Sequence, residues 1–220
     1  MSEPDFLTTT RTAYDTVAVD YESLLRDELA GNALDRALLG AFAEDVLADG
    51  AGPVADLGCG PGRVTTHLAS LGLDVFGLDL SSAMVAVARE RLPELRFVVG
   101  SLLELEAAGI APGSLAGAVA WYSIIHTPPA HLPRVFAEFR RALRPGGRLL
   151  LAFQAGDHRP KHLERGYGHE IDLDAYRLDP DAIAGLLAEA GFVAGTATIR
   201  QARAPEPTPQ AYLQVTTPED

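Results

Sequence analysis

From residue 53 onward, short apolar runs alternate with amphipathic stretches. "VADL", "LDVFGLDL", "LRFVVG", "LAGAVAWYSII" and "RLLLAFQ" read as strands. Between them, "RVTTHLASLG", "SSAMVAVARERLP" and "HLPRVFAEFRRALRPGG" carry apolar residues at helical spacing. Their boundaries are marked: the first ends at Gly72, Ser81 or Ser82 can cap the second, Pro93 lies just beyond it, and Pro145 with two glycines stops the third. Strands that alternate with helices imply a parallel sheet covered on both faces and wound by right-handed crossovers.

The two ends of the chain differ from this middle. Residues 6–49 read as helical, with Leu24, Leu25 and Leu29, then Leu34, Ala37, Leu38, Ala41 and Phe42, at three- and four-residue spacing, and with "AGN" at 30–32 as the break. Near the C-terminus, "DPDAIAGLLAEAGF" is a helix with Asp179 before Pro180, closed by Gly191. "VAGTATIRQ" and "QAYLQVTT", joined through "APEPTP", leave no room for a helix between them and form an antiparallel hairpin. The expected fold is therefore α/β: a doubly wound, mostly parallel seven-stranded sheet with an antiparallel C-terminal hairpin, helices on both faces and an N-terminal helical cap. A single domain is expected over 1–220, with the cap at 1–50, the ligand-binding core at 53–155, a lid-like insertion at 156–178, and the final helix and edge hairpin at 179–220.

Composition narrows the class of ligand. The 220 residues are 47% hydrophobic, enough for a sizeable core, and no run is long enough to span a bilayer. With 18 basic against 30 acidic residues, the formal net charge of −12 disfavours a phosphate backbone as partner. A small molecule is expected, with neither nucleic acid nor membrane. The start "MSEPDFLTTT" shows no signal peptide, and the single Cys59 excludes an internal disulfide framework, so a cytoplasmic setting is expected. Monomer and homodimer stay equally open.

The glycines of "VADLGCGPGRV" carry the chemistry. Gly58, Gly60 and Gly62 follow the first strand, at the edge where open α/β sheets bind their ligands. Gly58 permits a sharp turn, while Gly60 and Gly62 let a ligand and the next helix approach the backbone. Asp79 ends the second strand about 20 residues further on, where a carboxylate accepts hydrogen bonds from ribose hydroxyls. Together these point to an adenosine-type ligand. The dinucleotide fingerprint fails, because Arg63 stands where its third glycine belongs, and no triphosphate loop is present. Asp56, inside the first strand, would repel a phosphate and suits a ligand with a positive centre.

On these residues the chain resembles the class I S-adenosylmethionine-dependent methyltransferases of small-molecule type. "VADLGCGPG" is similar to their first motif, "VFGLDLSSAMVAVARERLP" to their second strand and following helix, and "LRPGGRLLLAFQ" to their fifth strand. The resemblance implies S-adenosylmethionine as cofactor and S-adenosylhomocysteine as product. It implies that Asp56 orients the turn and the methionine amino group, that Asp79 holds the ribose, and that Leu80 and Met84 flank adenine. The expected cofactor contacts also include the backbone of Cys59, Ser101 with Leu102, and Trp121. Ser101 departs from the family's pattern, which often has Asp after the glycine of the third strand. "RTAYDTVAVDY" resembles a helix lying over the cofactor, so Tyr14 or Tyr21 would close the methionine end; equally, both tyrosines read as packing that helix on the domain.

Further candidates lie on the acceptor side. His126 follows the fourth strand and is the candidate general base for O- or N-methylation, its alternative role being to cap a turn. Tyr122, His162 and Tyr167 join it as expected substrate contacts, and the aromatic side chains suggest a flat or hydrophobic acceptor. Cys59 could be a reactive thiol, but reads better as a small turn residue. His158 and His162 are separated by Pro160 and lack partner ligands, so no metal is expected. Two alternatives remain: a same-fold enzyme with chemistry other than methyl transfer, and a regulatory protein that binds S-adenosylmethionine or S-adenosylhomocysteine.

Overall fold

The computed structural model describes residues 4–219. Residues 1–3 of the expected cap and residue 220 of the C-terminal segment lie outside the described residues. Seven strands form one sheet: β1 (Val54–Leu57), β2 (Val75–Asp79), β3 (Arg96–Val99), β4 (Leu115–Trp121), β5 (Leu143–Gln154), β8 (Val193–Arg200) and β9 (Gln210–Thr216). Their order is β3-β2-β1-β4-β5-β9-β8, with β9 antiparallel to both neighbours and the first five strands parallel. This is the expected mostly parallel sheet, and the order reverses between β1 and β4.

Alternation along the strands feeds two apolar layers. Ala55, Leu57, Leu149, Leu151 and Phe153 point to one face, where α6 (Leu132–Ala142) and α7 (Pro180–Glu189) bury Phe136, Phe139, Ile183 and Leu187. Val54, Val75, Leu150 and Ala152 point to the other, against Phe42 and Val46 of α3 (Ala33–Ala48) and Val64 and Leu68 of α4 (Arg63–Ser70). α5 (Ser82–Arg91) packs Val85 and Ala88 on Phe97 and Cys59. Its N-cap is Ser81, whose side chain accepts from the Met84 N–H; Asp179 caps α7 in the same way through Asp181.

Four local expectations change. The third helix stops at Ala142, and "LRPGG" is already strand: Leu143 pairs with Leu115, while the Gly146 and Gly147 amides are held by Pro218 and Thr217. β4 ends at Trp121, so "YSII" leaves the sheet; Tyr122 takes φ +57° and Ile124–His126 form one 3₁₀ turn. The N-terminal region breaks twice, because α1 (Asp5–Leu25) is followed by the single turn α2 (Glu28–Gly31). The 156–178 segment is a two-stranded antiparallel sheet of its own, β6 (Pro160–Gly166) and β7 (His169–Tyr176), and β7 packs on α1.

Candidate active site

The glycine turn is fastened to the neighbouring strand before any ligand arrives. The Gly58 and Cys59 amides both donate to the Leu78 carbonyl, at 2.7 and 3.0 Å. Gly58 sits at φ +81°, and a Cβ there would lie 2.2 Å from the Ser123 Cβ, so both backbone sterics and the neighbouring chain demand glycine. Gly62, at φ +89°, is pressed by Leu92 and Phe97, which makes it the site of close helix packing and not a wall of the ligand cavity. Cys59 is likewise turned inward over Gly77, and burial pushes its thiol well above the ordinary value. A buried thiol held in its protonated form is a poor nucleophile, in keeping with a small turn residue.

Asp79 links the turn to α5. Its two carboxylate oxygens accept from the Gly60 and Ser81 amides, each at 2.8 Å. Two of its roughly four lone-pair sites are thus used, and the rest are available to hydroxyl donors. Burial pushes its pKa up to about 6 despite those amides. Asp56 lies beneath the turn and does not reach the cavity: its Oδ2 accepts from the Thr65 hydroxyl at 2.6 Å, its Oδ1 is buried without a partner, and burial pushes it up to about 7.

One cavity lies above these groups. Of the expected site residues, Tyr14, Tyr21, Gly58, Gly60, Asp79, Leu80, Met84, Ser101, Leu102, Trp121, Tyr122 and His126 all line it. Ser101 also uses its hydroxyl to accept from the Leu103 amide at 3.2 Å. Asp56, Cys59, Gly62, His162 and Tyr167 do not line it. Tyr167 instead covers Tyr21 from the turn of the β6–β7 hairpin, with ring centroids 4.8 Å apart. His162 is a correction: it pairs with Asp174 at 3.0 Å on the exposed side of the hairpin, because alternation sends Leu173 and Ala175 inward and their neighbours outward. Among the wall residues that the sequence reading missed are Phe6, Leu7, Thr10, Leu103, Ser123 and Thr127. Phe6 and Thr10 stand at four-residue steps from Tyr14, a signal the helix pattern did contain. Ser123 had none, since only the turn at Tyr122 brings it under Gly58.

On the same wall, His126 is buried between two covering elements. Its Nδ1 lies 2.9 Å from the Asp174 carbonyl and its Nε2 2.7 Å from the Tyr14 hydroxyl. A carbonyl only accepts, so Nδ1 carries the proton and Nε2 accepts from Tyr14. Burial lowers the imidazole pKa, leaving it neutral at pH 7, and raises that of the Tyr14 phenol. α1 is anchored beside this pair: Asp15 accepts from the Ser81 hydroxyl at 2.6 Å and the Ala83 amide at 3.0 Å, while Asp20 meets His169 of the hairpin at 2.7 Å.

The cavity's polar inventory fits the expected cofactor. Trp121 Nε1 and Ser123 Oγ are buried without partners on its wall, Asp79 has spare acceptor capacity, and Gly60 opens toward it with only Tyr21 nearby. No lysine or arginine lines it among the described residues. The charge pattern thus suits a ribose and a cationic centre, and no group is present to match a pyrophosphate.

Comparison with known proteins agrees. A family described as "Methyltransferase domain" matches residues 54–147. The trans-aconitate 2-methyltransferase of Delftia acidovorans is 38% identical over 115 residues, covering 51% of this chain and 41% of that protein. The chain spans about half the length of the curated relatives it matches, from 41 to 55%. A Burkholderia thailandensis 1,6-didemethyltoxoflavin-N1-methyltransferase, solved with that substrate and S-adenosylhomocysteine, superposes with a TM-score of 0.73 at 20% identity over 99% of this chain and 92% of its own. Magnesium protoporphyrin IX methyltransferase from Synechocystis PCC 6803, solved with S-adenosylmethionine, gives 0.70 at 19% identity over 99% of both chains. At such identities the structural likeness is one of fold. Motif, strand order and cavity chemistry converge: residues 54–147 match a methyltransferase domain, set in a fold shared with solved S-adenosylmethionine-dependent methyltransferases.

Proposed function

We propose that the chain methylates an oxygen or nitrogen of a small, flat or apolar acceptor, using S-adenosylmethionine. The observation that carries this reading is one cavity lined by both the Asp79–glycine cradle and the Tyr14–His126 pair. The cofactor, when bound, supplies an electrophilic methyl on a positively charged sulfur that leaves with the bonding electrons.

This chain's residues do the rest. Asp79 would hold the ribose hydroxyls, Leu80, Met84, Ser101 and Leu102 would flank the adenine, and the Gly58–Gly60 backbone would lie against the methionine. Asp56 stiffens the turn from below through Thr65. Tyr14 and Tyr21 would close the methionine end. As the acceptor's nucleophilic atom meets the methyl carbon, its proton passes to His126 Nε2 through the Tyr14 hydroxyl, which gives its own proton to the imidazole. The Asp174 carbonyl stabilises the resulting imidazolium through Nδ1–H. Holding two reactants in line contributes about 7–11 kcal/mol, and a placed base adds about a hundred- to ten-thousandfold.

The wall of Phe6, Leu7, Leu103 and Trp121, with no lysine or arginine among the lining residues, suits an uncharged heterocycle or phenol better than a tricarboxylate such as the relative's trans-aconitate. A single buried thiol and an acidic composition suit a reducing, cytoplasmic setting.

Calorimetry tests the cofactor part: S-adenosylmethionine and S-adenosylhomocysteine should bind in the micromolar range and NAD should give no heat. Methyl-labelled cofactor incubated with a metabolite extract tests the reaction, with a product 14 mass units heavier than its precursor, plus the label. NAD binding with S-adenosylmethionine ignored would overturn the reading.

A further inference from the structure

A second cleft opens behind the glycine turn, between the end of α1, α2 and the outward side of α4, and its charge is opposite to that of the first. Its volume is about 530 Å³, within the usual range for small-molecule sites. Arg26, Arg36, Arg63 and Arg91 line it against one acidic wall residue, Glu22. In a chain of net charge −12 this is a marked local reversal.

Two carboxylates pair directly with three of these arginines. Glu22 is shared by Arg26 at 2.8 Å and Arg91 at 3.0 Å, and Glu28 meets Arg63 at 2.7 Å. Arg36 spends its guanidinium on the Leu29 and Ala30 carbonyls. Asp27 and Asp35 act on Arg26 and Arg63 without pairing with them in the cleft, and Arg63 is only 15% exposed, so its charge is partly desolvated. His67 stands on the same wall with its Nε2 buried and without a partner. Leu25, Leu29 and Leu92 give the cleft an apolar floor.

We infer that this cleft binds a small oligoanion, a compact molecule with at least two carboxylate or phosphate groups. Guanidinium forks match both groups bidentately, and His67 Nε2 supplies a further polar contact. The binding itself does not depend on the methyltransferase reading. Tyr21 lines both cavities, and Pro61 and Gly62 border this one, so an occupant would steady the glycine turn and couple to the cofactor site. Such coupling is reciprocal.

The test is calorimetry on the full chain with citrate and with inorganic pyrophosphate, with acetate as a single-charge control, each with and without saturating S-adenosylhomocysteine. One citrate or one pyrophosphate should bind per chain, and whichever binds identifies the anionic group. Binding should persist when S-adenosylhomocysteine is present, and should weaken about tenfold in Arg91→Gln and in Arg36→Gln. Arg91 is a half-exposed side chain whose role is confined to the Glu22 pair, so its variant remains a fair test if Arg36→Gln disturbs α2. No saturable binding of either anion would overturn the inference, as would affinity in both variants unchanged from that of the unaltered chain. Displacement by S-adenosylhomocysteine would also overturn it, by placing the anion at the cofactor's own carboxylate end. If NAD proved to be the nucleotide ligand, the anion result would stand unchanged.

Discussion

The floor and the roof of the cavity are built in different ways. The floor is strand ends and a turn joined by backbone amides: Gly58 and Cys59 on Leu78, Gly60 and Ser81 on Asp79. The roof is α1 and the β6–β7 hairpin, joined by side chains distant in sequence. Tyr14 meets His126 across 112 positions and His169 meets Asp20 across 149. The Asp20–His169 pair is also exposed, and such pairs contribute about 0–1 kcal/mol. A floor fixed by backbone partners keeps its shape whatever the side chains, whereas the roof rests on side-chain contacts, some of them exposed. In the proposed reading, cofactor recognition falls mainly to the first and acceptor chemistry to the second.

The sharpest way to break this division is at His126. His126→Ala should lower turnover by about a hundred- to ten-thousandfold, while S-adenosylhomocysteine affinity stays within about a factor of three. Turnover of the unaltered chain should fall only below the ordinary imidazole range near pH 6.5, because burial lowers this pKa, and the variant should lose that acid limb. Loss of cofactor affinity matching the loss of rate would merge roof and floor. Tyr14→Phe keeps the ring and removes the hydroxyl; unchanged turnover would show that the proton reaches Nε2 directly.

The complementary floor variant is Asp79→Ala. It removes the ribose acceptor and strands the Gly60 and Ser81 amides, so S-adenosylhomocysteine affinity should drop about tenfold or more by calorimetry. Unchanged affinity would show that the ribose is held elsewhere.

Asp56 gives a smaller effect on the same floor, read as stability. Its pKa is about 7 in the folded chain, against a model-peptide value of 3.8. Between those values the folded chain holds a proton that the unfolded chain releases, so the stability contribution is full below about pH 4 and is lost as pH rises through about 7. The slope is about 1.4 kcal/mol per pH unit while one proton is released. Thermal melts of ligand-free Asp56→Asn at pH 5 and pH 8 should differ less than those of the unaltered chain. Parallel shifts would remove Asp56 as the cause.

The smallest effect expected is on motion. Adding S-adenosylhomocysteine should slow amide exchange in residues 5–25 and 160–176 by a few-fold beyond any change in β4 and β5. Uniform protection across the chain would mean that roof and floor move together.

The sequence discloses the floor because its determinants are local. Gly58 and Asp79 sit at strand ends whose apolar runs are plain, and Ser81 and Asp179 cap their helices through amides two or three residues on. The roof was legible only in part. Phe6, Thr10, Tyr14 and Tyr21 share a helix face that periodicity exposes, yet nothing local says that Tyr14 reaches His126. The hairpin was hidden because β6 carries six polar or special residues among seven and buries almost nothing. His162 was misplaced for the same reason, since without a strand assignment its outward face could not be assigned. Ser123 depends on the positive φ of Tyr122, a conformation that costs a non-glycine residue about 1–3 kcal/mol and has no sequence signature.

The hairpin touches His126 through the Asp174 carbonyl, a group that every amino acid brings. Orientation of the imidazole is therefore indifferent to which residue occupies position 174. Side chains along β6 and β7 can drift while the imidazole keeps its tautomer. A backbone anchor of this kind separates what must be inherited unchanged from what selection is free to rewrite.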